Sequence, residues 1–304
     1  MKEEQLSYRH HHGNKKTKLS AYVILFLLAY ALGYLSSLSS RLQPPTSPQP
    51  ATGIFNSLPS QLDNFRVTTH CSDPLPSSLV RQTILDRIYH ATSPYDNFPP
   101  ARVTGLLRDK RVKGWGSYGA VFEHLIQKVK PKVIIEVGTF LGASALHMAN
   151  LTRRLGLDAQ ILCIDDFRGW PGFRDRLKYV NMVNGDVLLL YQFMQNVIYS
   201  NATKWVLPVP FSSGSALEKL CEWGVFGDLI EIDAGHDFNS AWADINRAYR
   251  ILRPGGVIFG HDYFTMAHNR GVRRAVNLFA ELNGLKIQTD GQHWVIDSAQ
   301  LPST

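Results

Sequence analysis

The chain has 304 residues, of which 44% are hydrophobic and 19% charged, as in an ordinary globular protein. Its net charge of +7 does not indicate nucleic-acid binding, because the first 18 residues hold five Lys or Arg against two Glu. Three cysteines without a Cys-x-x-Cys or Cys/His cluster argue against a structural zinc site.

An uncharged, mostly apolar segment near the N-terminus, residues 19–38, predicts a membrane anchor. No residue from Leu19 to Ser40 is charged. A helix over this stretch, rising about 1.5 Å per residue, can just cross a hydrocarbon core of about 30 Å. The preceding Lys and Arg outnumber Arg41, so residues 1–18 are expected to be cytosolic and the remainder lumenal. The alternative is a signal peptide, cleaved among the small residues at 36–40.

Residues 39–75 are rich in Pro and Ser, and they predict a flexible stem before a lumenal domain at 76–304. A tail, one anchor, a stem and a lumenal domain are typical of a single-pass type II enzyme of the Golgi or another secretory membrane. Glycosylation sequons at Asn150 and Asn201 agree with that location. Cys71 and Cys221 could pair, but the sequence does not decide it.

The lumenal domain alternates between helical and strand patterns, which predicts a doubly wound α/β sheet. Helices are predicted at 77–89, 118–129, 143–150, 186–200, 241–252 and 271–283, with Ser117 capping the second and a further helix after the 212–215 turn. Seven strands are predicted at 133–137, 161–164, 205–209, 229–232, 257–259, 285–289 and 293–296. Asp290-Gly291 joins the last two as a hairpin.

The first strand ends in a Glu-x-Gly-x-x-x-Gly motif at residues 136–142, which indicates a loop for a nucleotide-like ligand. Gly138 is expected to permit the tight turn, and Gly142 to let the backbone approach the ligand. The second strand ends at Asp165-Asp166, where a carboxylate can accept hydrogen bonds from ribose hydroxyls.

A second group of polar residues follows the fourth and fifth strands: Asp233, His236, His261 and Asp262. Adjacent parallel strands lie about 4.8 Å apart, so their carboxyl ends are expected to bring these side chains together. Two carboxylates and an imidazole suit a divalent cation with open positions for oxygen ligands.

Taken together, the glycine loop and the string from "IDAGHDF" to "LRPGGVIFGHDY" resemble the class I S-adenosylmethionine-dependent methyltransferases. The similar branch contains the macrolide-sugar and cephalosporin-type O-methyltransferases of methyltransferase family 24, and the resemblance covers residues 115–297. It implies a Rossmann-like, seven-stranded sheet with an antiparallel last strand, and S-adenosylmethionine as cofactor. The implied cofactor-binding residues are Glu136, Gly138, Thr139, Gly142, Asp165, Asp166 and Ser213.

The same resemblance implies His236 as general base and Asp233, His261 and Asp262 as ligands of Mg²⁺ or Mn²⁺. The position of His261 is acidic in that branch. Histidine lowers the negative charge of the site and so favours Mn²⁺, or no metal, over Mg²⁺.

The predicted function is therefore methyl transfer to a hydroxyl of a small molecule or glycan. One alternative is an inactive binding or scaffold protein of the same fold, which the His261 departure favours. Another is a different nucleotide-dependent enzyme such as a glycosyltransferase, against which the sequence offers no strand-flanked Asp-x-Asp motif. A role in lining a pocket and a role in packing within the fold are both open for three aromatic residues, Trp115, Trp170 and Phe173. The acceptor and the oligomeric state do not follow from the sequence.

Overall fold

The computed structural model describes residues 27–32, 70–170 and 180–300. The chain divides into two compact units, Met1–Arg66 and Val67–Thr304. In the first unit residues 27–32 are helical, while the rest of the predicted anchor, the tail and most of the stem lie outside the described residues. Among the residues described, no helix combines the length and apolar character needed to span a bilayer.

The second unit alternates helices and strands along the chain. Its helices are α1 (Ser77–Tyr89), α2 (Ala101–Thr104), α3 (Ala120–Val129), α4 (Ala143–Arg154), α5 (Leu189–Tyr199), α6 (Ser213–Glu222), α7 (Phe238–Arg250) and α8 (Ala267–Leu282). Its strands are β1 (Val133–Val137), β2 (Gln160–Ile164), β3 (Met182–Val183), β4 (Asp186–Val187), β5 (Val206–Val209), β6 (Gly227–Ile232), β7 (Leu252–Gly260), β8 (Ile287–Asp290) and β9 (His293–Asp297).

The sheet has seven strands in the order β5-β2-β1-β6-β7-β9-β8. The contacts from β5 to β7 are parallel, whereas β9 is antiparallel to both of its neighbours. This confirms the predicted Rossmann-like sheet with an antiparallel last strand. The chain builds outward from β1 through β2 to β5 and then returns to β6, so the strand order reverses at β1 and β6. Ligands of open α/β sheets bind beyond the strand ends at such a switch point.

Two layers of helices cover the sheet because its central strands are apolar on both faces. In β1, Val133, Ile135 and Val137 join the core shared with α1, α6, α7 and α8. Ile134 joins the opposite core, which contains side chains of α3, α4 and α5.

Two local predictions are wrong. Ser117 does not cap α3, which begins after Gly119 without a side-chain cap, since the Ser117 hydroxyl donates to the Trp115 carbonyl. The helix predicted from residue 186 begins at Leu189, because a small hairpin, β3–β4, precedes it. Asn184 and Gly185 turn that hairpin with positive φ angles of 50° and 86°. Asn-Gly is a strong hairpin signal in its own right.

A disulfide joins Cys71, which precedes α1, to Cys221 in α6. The two cysteines are 150 residues apart, so the bond fastens the beginning of the domain to a helix near its middle. The sequence had left this pairing open. Cys163 is a free thiol buried in β2.

Candidate active site

The loop after β1 lies at the switch point and is held from both sides. The Gly138 amide donates to the Ile164 carbonyl of β2, and the Asp233 amide donates to the Val137 carbonyl of β1. Gly138 has a φ of 92°, and a Cβ there would lie 2.1 Å from the carbonyl oxygen of Asp233. Glycine is therefore required both by the turn, as predicted, and by the close approach of β6.

Gly142 lies against a core ring, and its approach to a ligand stays a prediction. Its φ is 81°, and a Cβ would lie 2.9 Å from the ring of Phe193. Gly142 thus lets α4 begin against a core aromatic ring.

Glu136 supports the loop from beneath. Its side chain is completely buried, and its two oxygens accept hydrogen bonds from the hydroxyls of Thr139 and Ser144. Thr139 is itself only 3% exposed. Both residues were predicted to bind the cofactor, and the structure turns their side chains toward each other, so they shape the loop that would meet a ligand.

Glu231, which the sequence interpretation missed, is the neighbour of Glu136 across β1 and β6. It is 2% exposed, and its Oε2 has no hydrogen-bond partner among the described residues. Burial, then the charges of Glu136 and Asp233, raise the pKa of Glu231 well above its ordinary value. Burial also raises the pKa of Glu136 to about 7, against the opposing effect of its two hydroxyl donors. An acid inside the apolar run of β6 was the available signal.

Replacing Glu136 by Gln is expected to reduce the loss of stability with rising pH. Because the pKa is raised from 4.5 to about 7 on folding, the folded state binds the proton more tightly over that interval. The free energy of unfolding then falls as pH rises, by about 3 kcal/mol for such a shift. Denaturant unfolding at pH 5 and pH 8 measures the difference between Glu136→Gln and wild type.

The exposed Glu281→Gln is the matched control for that experiment and should follow wild type at both pH values. The same pH dependence in Glu136→Gln as in wild type would contradict the assignment of a shifted carboxyl to this position.

Asp165 connects the loops that follow β1 and β2. Its Oδ2 accepts from the Phe140 amide at 2.9 Å, and its Oδ1 accepts from the Phe167 amide at 2.7 Å. Burial raises the pKa of Asp165, although these amide donors oppose the shift. Asp166 is exposed and accepts from the Arg168 amide at 3.0 Å. Both acids keep lone pairs for ribose hydroxyls, since a carboxylate offers about four acceptor sites.

Three aromatic rings meet beside these loops. The rings of Trp115 and Phe140 are 5.7 Å apart, those of Phe140 and Trp170 are 5.4 Å apart, and those of Trp115 and Trp170 are 6.0 Å apart. Phe173, the third aromatic residue expected here, lies outside the described residues. Ser213 begins α6, and its hydroxyl bonds to Asp244 of α7, so that it also serves the packing of two helices.

The second group of predicted residues does converge. Asp233 follows β6, and His261 and Asp262 follow β7. One ligand atom from each lies within 4.8 Å of the other two. Nε2 of His236 lies 3.4 Å from Oδ1 of Asp233 and 3.2 Å from Oδ2 of Asp262. Asp262 has a φ of 62°, and the Thr265 hydroxyl donates to its other oxygen.

These contacts shift the pKa values of the group in opposite directions. The interaction with Asp233 raises the pKa of His236, with Asp262 adding to the effect and burial opposing it. The interaction with Asp262 likewise raises the pKa of His261. Burial would raise the pKa of Asp262, but its imidazole and hydroxyl neighbours outweigh burial and lower that pKa to about 2.

The donor set of Asp233, His261 and Asp262 fits a divalent cation of the Mn²⁺ type, since it combines two carboxylates with one imidazole. His236 now contacts both carboxylates, at the position where a cation would balance their charge. The two acids therefore attract either a protonated imidazole or a metal ion.

Comparison with known proteins agrees with this site. Residues 135–263 match the model of a family described as a methyltransferase domain. This stretch contains the loop after β1 and the whole acid–imidazole group, which consists of Asp233, His236, His261 and Asp262, and the match confirms a methyltransferase domain of the S-adenosylmethionine-dependent type. A search of curated proteins gave no match.

Several solved structures are similar to this chain at low identity. Cofactor-bound Rv0187 from MTB is 16% identical with a TM-score of 0.47, covering 76% of this chain and all of that one. The O-methyltransferase from Bacillus cereus in complex with SAH is 18% identical with a TM-score of 0.44, over 72% of this chain and 96% of that one. TomG from Streptomyces achromogenes is 14% identical with a TM-score of 0.43, over 78% and 95%. Similarities of this size carry no information about the reaction.

Proposed function

We propose that the chain transfers a methyl group from S-adenosylmethionine to a hydroxyl of a sugar or glycan. The observation that carries the proposal is the position of His236, whose Nε2 contacts two carboxylates beside the switch point of the sheet. An imidazole there has a suitable pKa range to remove a hydroxyl proton, and two carboxylates can stabilise the imidazolium that results.

The reaction follows from that arrangement. The cofactor, when bound, supplies an electrophilic methyl group on a sulfonium sulfur. Nδ1 of His236, the ring nitrogen opposite the one that contacts the carboxylates, takes the proton as the acceptor oxygen forms its bond to carbon, and the carbon–sulfur bond breaks with its electron pair going to sulfur. The products are a methyl ether and S-adenosylhomocysteine. Asp233 and Asp262 hold the ring and raise its proton affinity.

If a divalent cation takes part, Asp233, His261 and Asp262 would hold it. Such an ion acts as a Lewis acid that lowers the pKa of a bound hydroxyl. Added Mn²⁺ and a chelator test this part separately. Activity that survives chelation would exclude a metal requirement and would leave the role of His236 as general base unchanged.

We also propose that residues 19–38 are an uncleaved signal anchor and that the domain is lumenal, in the Golgi or another secretory membrane. The Cys71–Cys221 disulfide supports this location, because disulfides persist in oxidising compartments. Asn150 and Asn201, the two sequon residues, are exposed. Protease added to sealed microsomes should remove the tail only. A shortened product released by washing the membranes would favour a cleaved signal peptide.

The central experiment uses the full-length chain in detergent micelles. Calorimetry should detect S-adenosylmethionine, and labelled methyl groups should pass from it to glycans of a Golgi extract. Binding without any transfer would favour the inert binding protein. Preferential binding of UDP or NAD would favour another nucleotide-dependent enzyme.

Asp165→Ala is expected to weaken the binding of S-adenosylmethionine by about 1–3 kcal/mol, the cost of leaving hydrogen-bonding groups without partners. The substitution removes the carboxylate that accepts from the Phe140 amide and that is predicted to bind the ribose hydroxyls. Calorimetry measures the change. Asp158→Ala is the matched control, since Asp158 is exposed and forms an ion pair with Lys204 on the surface. Equal affinities in both variants would contradict the placement of the nucleoside across β1 and β2.

A further inference from the structure

A cleft of about 370 Å³ has His261 in its lining. One wall is a strap, residues 114–120, which precedes α3, and the opposite wall is the β8–β9 turn, residues 290–293. The volume lies near the lower end of the range of about 300–1,000 Å³ that is typical of ligand pockets. His261, a member of the acid–imidazole group, therefore forms part of the wall of the cleft.

The strap is glycine-rich where it crosses the imidazoles. A Cβ on Gly116, whose φ is 68°, would lie 2.4 Å from the ring of His261. A Cβ on Gly119 would lie 3.2 Å from Cε1 of His293. Backbone rather than side chains thus covers both rings, and the rings of His261 and His293 are 4.9 Å apart.

His293 is the unexplained group in this wall. It is only 3% exposed, and its Nε2 has no hydrogen-bond partner among the described residues. The ring interacts with the Asp290 backbone, and Nδ1 is the nitrogen left to make that bond. An imidazole that donates through Nδ1 keeps Nε2 as an acceptor, so a ligand that satisfies it must bring a donor such as a hydroxyl.

The other lining groups also suit a neutral polar ligand. Among the described residues that line the cleft there is no Lys or Arg, and the Asp290 carboxylate is bound to Nδ1 of His124 at 2.7 Å. Lys113, next to the strap, lies over the Trp115 ring. The Tyr118 ring is 66% exposed and offers an aromatic surface to a sugar ring, and Gln292 adds an amide.

We propose that this cleft binds the acceptor as a neutral, polyhydroxylated ring, and that Nε2 of His293 accepts a hydrogen bond from one of its hydroxyls. The proposal rests on the proposed function and adds to it the place and chemical class of the acceptor. A phosphate or carboxylate is disfavoured for two reasons. It has no hydrogen-bond donor for Nε2, and the lining of the cleft offers it no Lys or Arg. His293 is here a specificity-determining residue, while His236 would meet the reacting hydroxyl.

Saturation-transfer NMR on the full-length chain with S-adenosylhomocysteine tests the proposal. The probes are methyl glycosides of glucose, galactose, mannose and xylose, with glucose 6-phosphate and catechol as competitors of other chemistry. At least one methyl glycoside should bind, and His293→Phe should weaken it about tenfold, which is the effect of one hydrogen bond. His70→Phe, at an exposed position outside the cleft, should not.

Gly119→Leu is the second variant, in case His293→Phe does not fold. Gly119 has a φ of −63°, which any residue adopts, and a leucine side chain there would occupy the cleft, with its Cβ 3.2 Å from Cε1 of His293. It should abolish glycoside binding and leave cofactor affinity within twofold of wild type. Glycoside binding that survives in the folded variants would overturn the proposal, as would tighter binding of glucose 6-phosphate or catechol, or binding of no glycoside at all. A wild type that binds glycosides through His293 but not S-adenosylmethionine would defeat the proposed function and leave the cleft assignment standing.

Discussion

His236→Ala is expected to lower turnover by about 10²–10⁴-fold, the usual effect of removing a positioned acid–base group. The affinity for S-adenosylmethionine should remain nearly unchanged, because the loop after β1 is held by Glu136, Asp165 and backbone bonds that do not involve His236. Single-turnover methyl transfer and calorimetry measure the two quantities separately.

The pH dependence gives a second readout of the same residue. The neighbouring acids raise the pKa of His236, so a larger share of the ring is protonated at neutral pH than in a free histidine. A base must be unprotonated, and wild-type turnover should therefore rise with pH as the ring loses its proton. The residual activity of His236→Ala should lack this rise.

The matched control is His70→Ala, which removes an exposed imidazole far along the chain from the site residues. It should leave both turnover and affinity unchanged. If His236→Ala kept wild-type turnover while Asp233→Ala lost it, the acids would act through a metal ion, and restoration of Asp233→Ala by high Mn²⁺ would identify that role.

The sequence was sufficient for the sheet and for the convergence of the polar residues. Strands such as β1 and β6 are short apolar runs, and polar residues directly after them must lie at the same edge of a parallel sheet. That reasoning placed Asp233 beside His261 and Asp262, and the structure brings them within ligand distance of one another. This prediction required only the direction of the strands and the knowledge of which strands are adjacent. The hydrophobic periodicity and the rules of sheet topology supply both.

Cross-strand and loop packing could not be predicted in the same way. The contact of Gly142 with Phe193 joins α4 to a helix that is distant in the sequence, and no spacing rule connects them. Glu231 needed the register of β1 against β6 before its position beside Glu136 could be seen. His293 lies in a strand assigned correctly from its pattern, yet its unpartnered nitrogen depends on the strap that crosses it.

The second large effect is expected from the disulfide. Cys71→Ala or Cys221→Ala opens a loop of 150 residues, for which chain entropy predicts a loss of about 5 kcal/mol in the free energy of unfolding. Denaturant unfolding of the oxidised wild type and of each variant measures the loss. The double variant should be only slightly less stable than either single variant, because the first substitution already removes the bond.

Losses that add in the double variant, or three free thiols in the purified wild type, would contradict the bond. Wild type treated with a reductant should approach the stability of the single variants.

The size of this loss also bears on where the chain folds. Domains of this size are stable by only about 5–15 kcal/mol, so a loss of about 5 kcal/mol removes a large part of the free energy of unfolding. A chain folding in the reducing cytosol would forgo the bond and its contribution, whereas a lumenal chain would form it. Expression with and without an oxidising compartment should therefore give folded protein in very different yields.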